Sequence, residues 1–167
     1  AIEALRANLI DVAVVTSPFA DKTGLNINVI KKLQDIVAAG NGFSYLKDKE
    51  ISLHELVKYP LICLKNTTTT RNYLDHIFRQ HNLLLRPDIE LTSINFVMPM
   101  VKNNLGIGFM QYATTKAEIE AGNIFRVNTK EQIPPRSICA VTASQYETPE
   151  PVQRFIDSLL EKESVNI

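Results

Sequence analysis

The sequence predicts an α/β fold in which strands alternate with helices. Three observations carry that expectation. Short apolar runs at residues 10–15, 61–64 and 106–110 have the length and content of buried strands. Between them lie segments whose apolar residues recur at i, i+3, i+4 and i+7, the spacing of a helix with one buried face. Turns rich in hydroxyls, glycine or proline separate the two kinds of segment, most visibly Thr67-Thr68-Thr69-Thr70 before Arg71.

Composition narrows the class. A chain of 167 residues suits one compact domain or two small lobes. Apolar content of 45% and charged content of 22% belong to a globular chain, not a disordered one. Eighteen basic residues balance eighteen acidic ones, so there is no electrostatic footprint for nucleic acid. No run approaches the ~20 apolar residues of a membrane span, and no signal peptide is visible. Cys63 and Cys139 each stand in a strand-like apolar run with no adjacent His, and read as buried free thiols in a reducing, cytoplasmic setting.

In chain order, residues 1–8 read as the last turns of a helix, with Ile2, Leu5 and Leu9 at helical spacing. Residues 10–15 then form a strand apolar on both faces, the parallel-sheet kind, ending in the polar turn Thr16-Ser17-Pro18. A helix tail feeding a parallel strand implies an absent preceding strand. The chain is therefore expected to lack at least one βαβ unit, on the order of 30 residues or more. Residues 25–38 alternate as one long strand, broken at Gly40-Asn41-Gly42.

Ser52-Leu53-His54-Glu55 is a capping box, opening a short helix that stops before Pro60. A buried strand at 61–64 leads to the four threonines, and Leu74, Ile77 and Phe78 mark one face of the helix beyond. After Pro87 comes a strand at 89–91. Ser93 then caps a helix with the stripe Ile94, Val97, Met98, Val101 and Leu105, bent or delayed by Pro99. Gly106 eases a tight turn into the next strand. Thr115-Lys116-Ala117-Glu118 is read as a second capping box, and Gly122 closes its helix. Strands at 124–127 and 136–143 follow, and Thr148-Pro149 opens a last helix with Val152, Phe155, Ile156, Leu159 and Leu160 on its core face.

The threonine row is the main functional candidate. One threonine suffices to cap a helix, and four β-branched residues in succession strain a regular helix. A loop that offers hydroxyls and amides to a ligand at a helix N-terminus, where an anion is favoured, fits the pattern better. Arg71 could pair with such an anion or with a neighbouring carboxylate. His54, His76 and His81 have no Cys, Asp or Glu at metal-ligand spacing, so no metal is expected. Gly106-x-Gly108 is out of place for a dinucleotide loop, and no nucleophile elbow or Walker loop exists. Neither a cofactor nor an enzymatic activity is expected.

The order of several segments resembles a known family. Ile10-Asp11-Val12-Ala13-Val14, Ile51-Ser52-Leu53 with Glu55-Leu56, and Tyr59-Pro60-Leu61-Ile62 come first, then Arg71 with Leu74-Asp75. Met100-Val101 before Leu105-Gly106-Ile107-Gly108, Pro135-Arg136 and the closing Arg154-Phe155-Ile156 complete the series. Together they resemble the effector-binding (substrate-binding) domain of LysR-type transcriptional regulators over nearly the whole chain, truncated at its N-terminus. Asn8 stands where members of that family commonly have Gly.

The resemblance implies a periplasmic-binding-protein-like (type 2) two-lobe fold with an effector cleft between the lobes and an incomplete first lobe. Residues 1–33 and 135–167 would form lobe I and residues 34–134 lobe II, joined by crossovers near 25–38 and 134–143. It implies an effector site at Thr16, Thr67, Thr68, Thr69, Thr70 and Ser93, taking a small anionic or polar metabolite. It implies a homodimer or tetramer, and promoter DNA bound only through a helix-turn-helix outside this chain. The competing reading is a stand-alone solute-binding protein of the same fold, distinguished by a signal peptide in place of an upstream helix-turn-helix. A catalytic domain using Cys63 or Cys139 is a more distant third.

Overall fold

The computed structural model describes residues 1–19 and 21–164. In chain order its elements are α1 (Ile2–Arg6), β1 (Ala13–Thr16), β2 (Leu25–Leu33), β3 (Asp35–Gly40), β4 (Glu50–Ile51), α2 (Leu53–Leu56) and β5 (Leu61–Leu64). They continue with α3 (Thr69–Gln80), β6 (Ile89–Leu91), α4 (Val97–Lys102), β7 (Ile107–Gln111) and α5 (Tyr112–Glu120). β8 (Ile124–Thr129), β9 (Arg136–Ala143) and α6 (Glu150–Ser164) complete the chain. Two compact units result, Ala1–Leu33 with Pro135–Ile167, and Gln34–Pro134.

The discontinuous unit holds a three-stranded sheet in the order β1-β9-β2, antiparallel throughout. Its core gathers Leu5, Ala13, Cys139 and Val141, with Ile2, Val15, Leu25 and Ile27 packed against them. α1 ends on Asn8, whose φ of 55° lies in the left-handed region. Leu9 N–H there donates to Ala4 O at 2.9 Å, closing the helix in the manner usually given to glycine. Asparagine tolerates that conformation, which accounts for its place where the resembling family has Gly.

Two strand expectations need correction. The run 10–15 is neither a six-residue strand nor parallel: β1 begins at Ala13, pairs antiparallel with β9, and leaves Val14 51% exposed. An apolar run does not disclose which face its neighbours cover. The single strand expected at 25–38 is two strands in two sheets, parted at Gln34. There the Gln34 side-chain amide donates to Ile133 O at 3.1 Å, and the Gln34 main-chain carbonyl accepts Tyr112 N–H at 2.8 Å. β2 pairs with β9, whereas β3 pairs with β7 and β8.

The continuous unit is built on a mixed six-stranded sheet in the order β4-β8-β3-β7-β5-β6. β5 runs parallel to both β6 and β7, while β3 is antiparallel to β7 and β8. Alternation along β3 supplies both cores: Val37 and Ala39 face one, Ile36 and Ala38 the other. On the first face α3 lays down Leu74, Ile77 and Phe78, with the Phe78 ring edge-on to Phe109 at 5.9 Å. On the second, α4 sets Val97 and Val101 against Ile36, Ile62 and Met110.

Two local expectations in this unit are revised, and a third is narrowed. Gly106 and Gly108 allow close packing rather than a special turn. A Cβ at Gly106 would stand 2.7 Å from Pro60 O, and one at Gly108 would stand 2.7 Å from Val101 Cγ2. Of the two effects expected of Pro99, the delay is the one found: Ser93 opens a 3-10 turn at Ile94–Phe96 and the helix starts at Val97, so Pro99 falls in its first turn where no N–H is needed. Ile94 and Leu105, the two ends of the supposed stripe, are exposed. Thr115 is not a cap: α5 begins three residues earlier, directly from β7, and Thr115 is fully buried inside it. Its Oγ1 donates back to Gln111 O at 3.1 Å and Tyr112 O at 2.9 Å. The first capping box forms in one half, Ser52 Oγ accepting Glu55 N–H, while Leu53 N–H is met by Glu131 Oε2 at 2.8 Å.

Candidate functional site

The parallel run of β5, β6 and β7 brings three strand ends to one edge of the sheet. Leu64 pairs in register with Leu91, so residues 65–70 after β5 and Ser93 after β6 leave the sheet at the same level. α5 starts at that edge as well, after β7. Loops at the carboxyl ends of such strands are where open α/β sheets hold ligands.

The threonine turn is built from the backbone outward. Thr68 N–H donates to Lys65 O at 3.0 Å, and Lys65 N–H to Leu91 O at 2.9 Å, so the turn is closed on itself and stitched to the end of β6. Thr68 is the N-cap of α3: its Oγ1 accepts Arg71 N–H at 3.2 Å and donates to Lys65 O at 2.9 Å. One threonine of the four therefore caps, as a single one suffices to do. Thr67 and Thr69 carry exposed side chains, and Thr70 is half-buried. α3 runs for twelve residues, long enough for its dipole to place partial positive charge at this end.

Arg71 does not face solvent. It is 6% exposed and makes four side-chain hydrogen bonds. Nε donates to Asp75 Oδ1 at 2.9 Å, Nη1 to Glu90 Oε1 at 2.6 Å and Leu64 O at 3.2 Å, and Nη2 to Leu85 O at 3.1 Å. Burial pulls its pKa down, but the hydrogen bonds it donates to Glu90 and Asp75 outweigh that, and the net shift is upward. Of the two options open in the sequence, the carboxylate pair is the one formed. Asp75 stands at i+4 and could have been read in advance; Glu90, nineteen residues away, could not. Tyr73, on the same helix, donates its hydroxyl to Pro134 O and ties α3 to the end of the unit.

The remaining candidates divide. Ser93 lies at the shared edge, and its Oγ accepts Asn95 N–H at 3.3 Å, opening the 3-10 turn. Thr16 belongs to the other unit, half-buried at the carboxyl end of β1 and opposite Ile138. Both cysteines are buried and free. Burial pushes the Cys63 thiol up to about 12 and raises that of Cys139 as well. Neither therefore has the thiolate character a nucleophile needs. Among the described residues no three His, Cys, Asp or Glu side chains converge as a metal site, and no helix is long and apolar enough to cross a membrane.

Known proteins place this architecture. The HTH-type transcriptional activator CmpR of Synechocystis sp. (strain ATCC 27184 / PCC 6803 / Kazusa) is 29% identical over 111 residues. That match spans 65% of this chain and 36% of the activator. Among solved structures, the Synechocystis PCC6803 CcmR regulatory domain in complex with 2-PG superposes with a TM-score of 0.79 at 18% identity, over 97% of this chain and 77% of that one. The effector-binding domain of QuiR in complex with shikimate gives 0.75 at 18% identity, over 98% of this chain and 76% of that one. These neighbours share the type 2 periplasmic-binding-protein-like fold. The model of the LysR substrate binding domain, a family of regulator domains and not of enzymes, matches residues 1–164. The chain therefore belongs to the LysR substrate-binding domain family and is an effector-binding domain of the LysR type.

Proposed function

We propose that this domain senses a small hydroxylated or carboxylated anion at its threonine turn, Thr67, Thr68, Thr69 and Thr70, with the exposed hydroxyls of Thr67 and Thr69 as the principal side-chain donors and Thr68 as the cap that shapes the turn. The observation that carries the reading is the turn itself: exposed hydroxyls at the N-terminus of a twelve-residue helix, on the carboxyl edge of parallel strands. Backbone amides and the helix dipole at that position favour negative charge. Ser93, on the same edge, is a further contributor under this proposal. The ligands named with the CcmR and QuiR domains, 2-PG and shikimate, support a small-molecule effector here.

The whole protein would be a cytoplasmic LysR-type regulator, dimeric or tetrameric. It would read promoter DNA through a helix-turn-helix outside this chain, and effector binding would shift its conformational equilibrium. A helix-turn-helix encoded upstream supports this; a signal peptide there would favour a solute-binding protein instead.

The site is tested by calorimetric titration after a thermal-shift screen of small carboxylates and phosphate esters, with 2-PG and shikimate included. A hydrogen bond to a charged ligand is worth roughly 1.5–3 kcal/mol. Thr67→Val with Thr69→Val should therefore weaken binding by about ten-fold or more. Thr68 still caps α3, so the thermal midpoint should hold. Equal affinity in wild type and variant would place the ligand elsewhere.

A further inference from the structure

We infer that Arg71 is the positioning residue of the threonine turn: its guanidinium holds residues 65–70 in shape from behind and does not itself contact the ligand. The inference rests on the ligand-binding reading of the turn given above.

The geometry carries it. Residues 65–70 span the gap between the last residue of β5 and Arg71, and the guanidinium reaches back to Leu64 O, the carbonyl where the turn begins. The same group grips Glu90 on β6, Leu85 O in the loop after α3, and Asp75 one helical turn on. At its main chain, Arg71 N–H fixes the Thr68 hydroxyl. The start of the turn is thus tied to the Arg71 side chain, its end is Arg71 itself, and the cap within it is met by the main chain of the same residue. The fork points inward, with one positive charge set between two carboxylates. Arginine suits this task because its planar donors address several acceptors at fixed angles, whereas a lysine ammonium concentrates its donors at one point.

Three variants separate positioning from charge balance. Arg71→Lys keeps the charge and loses the fork. Arg71→Met leaves Asp75 and Glu90 facing each other without a counter-ion. The triple variant Arg71→Met, Asp75→Asn, Glu90→Gln removes that repulsion. The primary readout is native-state hydrogen exchange of amides 67–72 in the ligand-free domain, with the amides of α5 as an internal control.

Arg71→Lys should speed exchange at 67–72 by at least ten-fold and leave α5 unchanged. In the triple variant the thermal midpoint should return toward wild type while 67–72 continue to exchange fast. Slow exchange at 67–72 in Arg71→Lys, or protection restored together with stability in the triple variant, would overturn the inference, since Arg71 would then only balance charge. Where 2-PG or shikimate binds the wild type, Arg71→Lys should weaken it at least five-fold. Failure of the threonine reading would appear separately, as binding indifferent to Thr67→Val with Thr69→Val, and the exchange result would stand on its own.

Discussion

Helices α3 and α5 both follow strands that run parallel in one sheet, and both carry threonines near their start, yet their hydroxyls are used in opposite ways. Thr68 sits one residue before α3, outside the helical ladder, and its hydroxyl oxygen accepts the Arg71 N–H, which points back toward the helix start. Thr114 and Thr115 sit inside α5, and both hydroxyls turn back to Gln111 O, at 2.9 and 3.1 Å. At the cap the Thr68 oxygen meets a free N–H of the first turn and the neighbouring Thr67 and Thr69 stay exposed, whereas threonines one turn in only donate back to the preceding carbonyls and meet no N–H. Position relative to the first helical residue, not the abundance of threonine, decides which helix start can address a ligand.

The largest effect expected from this contrast is on stability, at α5. Thr115→Ala removes a buried hydroxyl and a methyl group, at about 1 kcal/mol for the hydrogen bonding and about 1 kcal/mol for the small cavity. Urea unfolding should register the sum, roughly 2 kcal/mol, with ligand affinity untouched. A change in affinity without a change in stability would reverse the roles assigned to the two helix starts.

A smaller loss belongs to α3. Thr68→Ala should cost about 1 kcal/mol as a lost cap, and Thr68→Ser should recover most of it. If alanine at Thr68 proves harmless, Arg71 alone holds the turn and the cap is dispensable.

The smallest effect concerns charge. α3 has its ion pair buried near its start, at Arg71 and Asp75, whereas that of α5 lies toward its end, where Glu118 meets Lys102 Nζ at 2.9 Å. The Asn123 amide, and then Lys102, hold the Glu118 carboxyl below its ordinary 4.5. The depressed value means the contribution is complete above pH 4.5 and fades as pH falls through the lower, folded-state value. In an NMR titration Lys102→Met should raise the Glu118 midpoint while leaving it below 4.5, because Asn123 remains. A midpoint that does not move would show the exposed pair to be without effect.

Much of this was legible in the residues, and the failures share a cause. The strand at Leu61–Leu64, the face of Leu74, Ile77 and Phe78, and a cap within the threonine row follow from period and hydroxyl placement alone. Thr115-x-x-Glu118 has the same pattern as a capping box but lies within a helix already begun at Tyr112, which a four-residue motif cannot disclose. Residues 25–38 alternate well at Leu25, Ile27 and Val29 and more loosely beyond, and nothing local marks the break at Gln34, where Ile133 O and Tyr112 N–H arrive from far along the chain. Arg71 was visible as a charge at a helix start, but its burial depends on Glu90 and Leu85, brought there by β6 and the loop before it. Local rules read local bonds, and the site is finished by distant ones.

The two glycines that bracket Ile107 impose unequal constraints on how this sequence can drift. At Gly108 a methyl group would strike Val101 Cγ2 and Val97 Cγ1, at 2.7 and 2.8 Å, and both obstacles are side chains that a second substitution can trim. Alanine there is accessible in company with smaller residues at both Val97 and Val101, so the three positions should change as a set across descendants. Gly106 has no such route. Its obstacle is the main-chain oxygen of Pro60 at 2.7 Å, which every amino acid would present, and the position is closed for as long as β5 and β7 lie side by side.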